Sequence, residues 1–332
     1  MESRENILIV RLTAIGDVVL TLPAVSVLRQ NFPAAKISFL TTQENATLLC
    51  GFRDVDETIV LDRAAFRSGQ PWRVAKEFFR LLRQLRAGKF SLVVDLQANG
   101  ESAWLTWLTG APQRWGFLKK PSRRRAYTKS VGHFQIHPAN SNLALLRHCG
   151  LAGGEARNEF VLPPDALAAA REFFNTHRLV PGKPTLFVQP FTSGAYKNWP
   201  LENYLTVARH WRSQGVQIIL GGGPADRARL EPAWQEGVAV SAGVPLLVTG
   251  GLMQLSTLVL GGDTGALHLA VAQGRRVLML MREVRPSSPV PFQHPEWVVS
   301  TPRPSVMAEI PVKQVNTALS ATLNPSAGNA CS

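Results

Sequence analysis

Cysteine is scarce and unpatterned here: 332 residues contain three, Cys50, Cys149 and Cys331. An odd, scattered count excludes a disulfide framework and fits a reducing compartment. His, Cys, Asp and Glu show no metal-ligand spacing, so no metal site and no resident cofactor is expected. Acidic residues are also few, 23 against 36 Lys plus Arg, which leaves a net charge of +13. That excess favours anionic partners, whether nucleic acid, acidic lipid or phosphorylated substrate, and carries no information about fold. No apolar run approaches the ~18–20 residues that span a bilayer. Met1–Asn6 is polar and only Ile7–Val10 is apolar before Arg11, which does not read as a signal peptide. The expectation is a soluble, cytoplasmic chain that can still touch a membrane surface. No internal repeat of solenoid period is present. The loop after the first apolar run has one glycine, so the G-x-G-x-x-G fingerprint of nicotinamide enzymes is missing.

What is present is a substantial core. Hydrophobic residues make up 45% and charged residues 18%, and the length suits two domains of roughly 150 residues each. Short apolar runs read as strands at Ile7–Val10, Ile37–Leu40, Thr58–Leu61, Leu92–Asp95, Leu186–Gln189 and Val216–Leu220. Others follow at Val238–Ser241, Thr257–Leu260, Val277–Met281 and Trp297–Ser300. Helical patterns lie between many of them, at Val18–Asn31, Val74–Arg86, Leu201–Gln214 and Ala266–Gln273. Continuous apolar strands separated by helices indicate parallel sheets covered on both faces. The fold class is therefore α/β, as two doubly wound domains. Boundaries are expected at 1–163 and 185–323, with a Pro-rich linker at 164–184 that holds a helix from Asp165 to His177. Val312–Leu323 reads as the last helix and 324–332 as a frayed tail.

Five stretches can carry chemistry. Arg11-Leu-Thr-Ala-Ile-Gly-Asp17 joins the first strand to a helix, where loops of an open α/β sheet face the ligand crevice. Asp17 reads either as a helix N-cap or as a ligand-facing carboxylate. Phe191–Pro200 follows a strand and offers Thr192, Ser193 and Lys197; it suits a phosphate or is a solvated helix-initiating turn. Gly221-Gly-Gly-Pro-Ala-Asp-Arg227 allows close backbone approach but lacks P-loop spacing, and reads more readily as a flexible turn. Gly261-Gly-Asp-Thr-Gly-Ala-Leu-His268 runs from a strand into a helix start, whose free N–H groups attract anions. There Thr264 and His268 lie on one face, and the alternative is a capped helix with His268 bonded in the core. Lys119-Lys-Pro-Ser-Arg-Arg-Arg125 is basic, as either a solvated loop or a surface for an anionic acceptor.

Taken in order, these stretches resemble glycosyltransferase family 9, the ADP-heptose:lipopolysaccharide heptosyltransferases, most nearly the heptosyltransferase I type. The resemblance rests on Ile7–Leu22, Val94-Asp-Leu-Gln97, Leu108-Thr-Gly110 through Phe117, Asn142–Leu146, Thr192–Pro200 and Asp263–His268. It implies a GT-B fold, two Rossmann-like domains with the active site in the cleft between them. It also implies metal-independent, inverting transfer from ADP-L-glycero-D-manno-heptose to a Kdo sugar of the inner core. On that pattern Asp17 is the general base and Lys197 neutralises the departing diphosphate. Thr192, Ser193, Thr264, Gly265 and His268 hold the phosphates, Asp263 shapes the donor site, and Asp226 lies near the ribose. Thr13, Gly16, Lys119, Lys120, Arg123, Arg124 and Arg125 fall on the acceptor side, which suits a Kdo-lipid A-like acceptor in an anionic inner membrane. The chemistry agrees: a single displacement needs one base and charge stabilisation on the leaving group.

Two departures matter. Arg282-Glu-Val-Arg285 replaces the family's usual Phe-Gly-Pro-Thr-like turn, which opens the identity of nucleotide and sugar. Gly250 and Gly251 make Pro245–Gln254 a poor helix, at ~1 kcal/mol each relative to Ala, and would loosen the wall near the adenine. A nucleic-acid partner has no motif behind it. The rival readings are another nucleotide-sugar donor or glycan acceptor on the same fold, and a non-catalytic sugar- or lipid-binding relative. A monomer is expected.

Overall fold

The structure is a computed structural model that describes residues 5–301 and 306–323. The expected tail at 324–332, with Cys331, lies outside the described residues. The chain divides between Phe160 and Val161 into two compact units.

In the first unit, β1 (Asn6–Val10) leads into α1 (Ile15–Val19) and α2 (Leu22–Asn31). Next come β2 (Lys36–Thr42), α3 (Gln43–Ala46), β3 (Glu57–Leu61), α4 (Arg63–Arg67) and α5 (Pro71–Ala87). The unit closes with β4 (Leu92–Asp95), α6 (Gly100–Leu108), β5 (Gln113–Phe117), β6 (Lys129–Val131) and α7 (Pro138–His148). Its six strands are all parallel, in the order β3-β2-β1-β4-β5-β6.

The second unit opens with α8 (Pro164–Thr176), β7 (Thr185–Gln189), α9 (Leu201–Ser213) and β8 (Gln217–Gly222). It continues through α10 (Glu231–Gln235), β9 (Ala239–Ala242), α11 (Leu246–Leu255), β10 (Leu258–Gly262) and α12 (Gly265–Ala272). The last elements are β11 (Val277–Met281), β12 (Val298–Ser300) and α13 (Val312–Leu323). This sheet is also six-stranded and parallel, in the order β12-β11-β10-β7-β8-β9. Each unit therefore repeats one Rossmann-type winding, whose strand order reverses beside its first strand. The expectation of two doubly wound, parallel-sheet α/β domains is met.

Burial explains the sheets. β1, β4, β7, β10 and β11 are apolar on both faces and almost wholly buried, as parallel strands under helices require. In the second unit Trp199, Tyr204 and Trp211 fill the space beneath α9. The Trp199 indole N–H donates to the Ile310 carbonyl (3.0 Å) and that of Trp211 to the Asn316 amide oxygen (3.0 Å), which ties α13 to α9.

Three expectations change. The helix read as Val18–Asn31 is two helices, interrupted at Leu20–Thr21 with Pro23 in the first turn of the second. Residues 164–176 are no linker: α8 buries Ala166, Ala170 and Phe174 and packs on α11. The glycine pair of α11 serves that packing rather than loosening it. A Cβ on Gly251 would lie 2.6 Å from the Ala170 Cβ, and one on Gly250 would lie 2.9 Å from the Gln273 amide nitrogen. Close approach of α8 and α11 outweighs the helix-propensity cost of ~1 kcal/mol.

Gly251→Ala should therefore destabilise the fold by about 1–3 kcal/mol, the usual cost of overpacking, despite alanine's better propensity. Adding Ala170→Gly should restore part of the loss in a denaturant titration; a stabilised single variant would contradict the packing argument.

Candidate active site

In each sheet the loops beside the order reversal are those that follow the two central strands. In the first unit these are the loops after β1 and β4. Asp17 stands at the third position of α1, whose N-cap is Ala14, so it is not the N-cap. Its carboxylate instead reaches back to accept from the Ala14 N–H (3.2 Å) and pairs with the Arg11 guanidinium (2.7 Å). Arg11 is held in turn by the carbonyls of Thr13 and Leu96. The Asp17 side chain remains 42% exposed, so a fixed carboxylate faces solvent at this edge.

That loop is braced by residues outside the candidate set. Gln97 accepts from the backbone N–H groups of Leu12 (3.0 Å) and Thr13 (3.1 Å), and its amide lies 3.4 Å from the Thr13 hydroxyl. Gln97 is itself set by Asp95, the last residue of β4. Asp95 accepts from the N–H groups of Gln97 and Ala98 and from the hydroxyls of Ser102 (2.8 Å) and Tyr127 (2.6 Å). Complete burial raises the Asp95 carboxyl above its ordinary range, although all of these donors act the other way. The Tyr127 hydroxyl is pushed up by its own burial and by that neighbouring carboxylate. Thr13 and Gly16 lie half-buried beside Asp17.

The basic run does not act as one surface. Residues 121–126 form a 3₁₀ turn, in which Arg123 turns inward and donates to the Ala98 carbonyl (3.3 Å). Lys119, Lys120, Arg124 and Arg125 are exposed.

In the second unit the corresponding loops follow β7 and β10. Lys197 and Asp263 meet there at 2.6 Å, and the His268 Nε2 donates to the other Asp263 oxygen at 3.1 Å. Glycine makes the meeting possible. A Cβ on Gly262 would fall 2.8 Å from the Thr192 Cγ2 and 3.1 Å from the Lys197 carbonyl, so only glycine lets the loop lie against β10. Thr192 closes that loop internally through Asn198 and Gly194, while Ser193 is exposed. Thr264 is the N-cap of α12 and accepts from the Leu267 N–H, which leaves Gly265 as the first helical residue. His268 is 3% exposed, and its Nδ1 is buried with no partner among the described residues. It orients Asp263 rather than standing open to a ligand. Asp226 likewise caps its own turn, accepting from the Gly223 N–H (2.9 Å) and pairing with Arg229 (3.2 Å).

Beside Lys197 and Asp263 lies a cavity of about 230 Å³, which Tyr196, Met281, Arg282 and Arg285 also line. The divergent Arg282–Arg285 turn thus borders it, with Arg285 paired to Glu283 at 2.8 Å. No group of three His, Cys, Asp or Glu side chains among the described residues could hold a metal ion.

The sequence model of glycosyltransferase family 9 (heptosyltransferase) matches residues 78–311. The chain belongs to glycosyltransferase family 9. It is a glycosyltransferase by that membership. It is similar to the lipopolysaccharide core heptosyltransferase OpsX of Haemophilus influenzae, 25% identical over 90% of this chain and 85% of that protein. Lipopolysaccharide heptosyltransferase 1 of Pseudomonas aeruginosa is 24% identical, over 85% of this chain and 79% of that one. Among solved structures, a family 9 glycosyltransferase from Veillonella parvula superposes with a TM-score of 0.86 at 21% identity, over 97% and 98% of the two chains. Escherichia coli heptosyltransferase WaaC with ADP-2-deoxy-2-fluoro heptose gives 0.75 at 20% identity, over 95% and 99%.

The Asp263 cluster has a pH signature. Burial alone would raise its carboxyl, but His268 and then Lys197 outweigh that and hold it below the ordinary value. A depressed carboxylate stabilises the fold fully above its unfolded value of ~3.9, and that contribution is lost as the pH falls through the lower folded value. Asp263→Asn should therefore lower the melting temperature at pH 7, and the gap to the parent should narrow below pH ~3.9. An unchanged gap in thermal scans at both pH values would count against the assignment.

Proposed function

We propose that this glycosyltransferase is an inverting heptosyltransferase of lipopolysaccharide core biosynthesis, of the heptosyltransferase I type, that works without a metal. The first unit takes a Kdo-lipid A-like acceptor, and the second takes ADP-L-glycero-D-manno-heptose. The protein works as a monomer at the cytoplasmic face of the inner membrane, where its surplus of cations meets anionic lipid. The observation that carries this reading is the fixed, exposed carboxylate of Asp17 at one switch point, with the Lys197–Asp263–His268 cluster at the other. The E. coli WaaC structures with ADP and with ADP-2-deoxy-2-fluoro heptose support an ADP-sugar donor.

Asp17 removes the proton from the acceptor hydroxyl, whose oxygen forms the new bond at the anomeric carbon. The bond from that carbon to the diphosphate breaks on the opposite side, and ADP leaves with the electron pair. A single displacement inverts the anomeric centre. Lys197 and the first N–H groups of α12 stabilise the charge that grows on the diphosphate, so the step asks for no divalent cation. Preorganised charge of this kind is worth most where water is excluded.

A second reading has one observation behind it. The Arg282–Arg285 turn borders the donor cavity and departs from the family pattern, which suits a different sugar or nucleotide on the same machinery. A panel of nucleotide sugars, scored for transfer to Kdo-containing lipid A, separates the two readings. Turnover with ADP-heptose alone supports the first, and preference for another donor supports the second.

Asp17→Asn keeps an acceptor for the Ala14 N–H and loses only the charge, so the fold should persist. The kcat should fall by ~10²–10⁴, the range for a lost general base. Wild-type turnover in the purified variant would reduce Asp17 to a structural role. Lys197→Ala should weaken ADP binding and slow transfer, whereas EDTA should leave the parent's rate unchanged. Loss of activity on chelation, restored by Mg²⁺, would overturn the metal-free scheme.

A further inference from the structure

The exposed aromatic side chains of the first unit are gathered, not scattered. On α5 the residues Trp72, Lys76, Phe79 and Arg83 recur at i, i+4, i+7 and i+11, so they share one helical face, and all are exposed. On α6 Trp104 and Trp107 point outward one turn apart. Trp72 is 62% exposed, Phe79 65%, Trp104 45% and Trp107 52%. Phe78 stacks on Trp104 (centroids 5.6 Å, planes 27° apart) and touches Phe79 edge-on (5.3 Å), which joins the two rows into one surface. The opposite face of α5 buries Leu81 and Leu85 in the core, so the outward row is not needed for folding.

Charge on this surface has one sign. α5 carries Arg73, Lys76, Arg80, Arg83 and Arg86 against a single carboxylate, Glu77, which Arg80 neutralises. The Glu101 carboxylate of α6 is paired with Arg63. Arg73 lies over the Trp72 ring (5.4 Å), while Lys76 and Arg83 each follow a ring by one turn, and among the described residues neither forms an ion pair with a carboxylate. Indole and phenyl rings interleaved with uncompensated cations are the pattern that seats a helix in the headgroup region of an anionic bilayer.

We propose that the α5–α6 face is the surface by which this protein docks on a membrane leaflet rich in anionic phospholipid. The proposal rests on the membrane association put forward under Proposed function, and gives it a place other than residues 119–125. In that run Arg123 is turned inward, and the adjoining Tyr127 is buried. A second copy of the chain is a poorer occupant. A two-fold contact would set this face against itself, cation on cation, whereas the cores of protein interfaces are depleted of lysine.

Co-sedimentation with phosphatidylcholine vesicles, with and without phosphatidylglycerol, tests this. The parent should bind the anionic vesicles, lose binding as salt rises and ignore the neutral ones. Phe79→Ser/Trp107→Ser and, separately, Lys76→Glu/Arg83→Glu should each weaken binding by about tenfold or more, at roughly a factor of five per cation near the surface. Both should melt like the parent and transfer sugar to a water-soluble acceptor at the parent's rate. Arg124→Ser/Arg125→Ser should bind as the parent does. A parent that ignores anionic vesicles overturns the membrane association and this face together. If binding survives both α5–α6 variants and is lost with Arg124→Ser/Arg125→Ser, this face is wrong and the association stands. A dimer in sedimentation velocity that Phe79→Ser/Trp107→Ser dissociates makes the face a self-interface and also overturns the proposal.

Discussion

The Asp95 carboxylate is buried at the end of β4, and the loops of the first unit hang from it. Removing a carboxylate from water is costly unless its oxygens are hydrogen-bonded. Here two backbone N–H groups and two hydroxyls do that, and burial still raises the carboxyl. Such a group tolerates little movement in its donors. Gln97 is thereby aimed at the backbone of Leu12 and Thr13, and the Leu96 carbonyl at Arg11, which grips Asp17. The exposed carboxylate is thus positioned by a buried one through two layers of polar contacts.

The second unit solves the same problem with the same parts in another order. Asp263, directly after β10, is the buried carboxylate, and its partners are the Lys197 ammonium and the His268 imidazole. Gly261 and Gly262 narrow the end of β10 so that the Thr192–Lys197 loop can lie against it; a Cβ on Gly261 would sit 2.6 Å from the Gln189 carbonyl. In both units the anchoring residue ends or directly follows the strand beside the first one, at the order reversal. There two loops diverge and leave room that only side chains can bridge.

Most of the sheet was legible because parallel strands under helices are apolar throughout, as Leu92–Asp95 and Val277–Met281 show. β5 escaped notice because Gln113, Arg114 and Gly116 break its apolar run. β6 escaped because it is three residues long and half-exposed at the sheet edge. The residues of the candidate site that stand in strand-to-helix loops, Asp17, Lys197 and Asp263 among them, are recognisable from local sequence alone. Asp95, Gln97 and Tyr127 could not, since their partners are set by the fold: Gln97 bonds Leu12 across 85 residues and Tyr127 bonds Asp95 across 32. The same limit hid the purpose of Gly250 and Gly251, which face Gln273 and Ala170 respectively, both distant in sequence. Periodicity also misled at Val18–Asn31, where one continuous apolar pattern covers two helices.

In the proposed donor site, the lysine bound to Asp263 means that the anion position carries its own counter-ion. A diphosphate arriving there competes with a carboxylate already 2.6 Å from the ammonium, so charge alone wins little. A small free anion such as inorganic phosphate offers the lysine nothing that it does not already have. Only a ligand with further contacts elsewhere in the unit can draw the ammonium over. On that proposal the Asp263 carboxylate retakes the Lys197 ammonium when ADP departs, which favours product release.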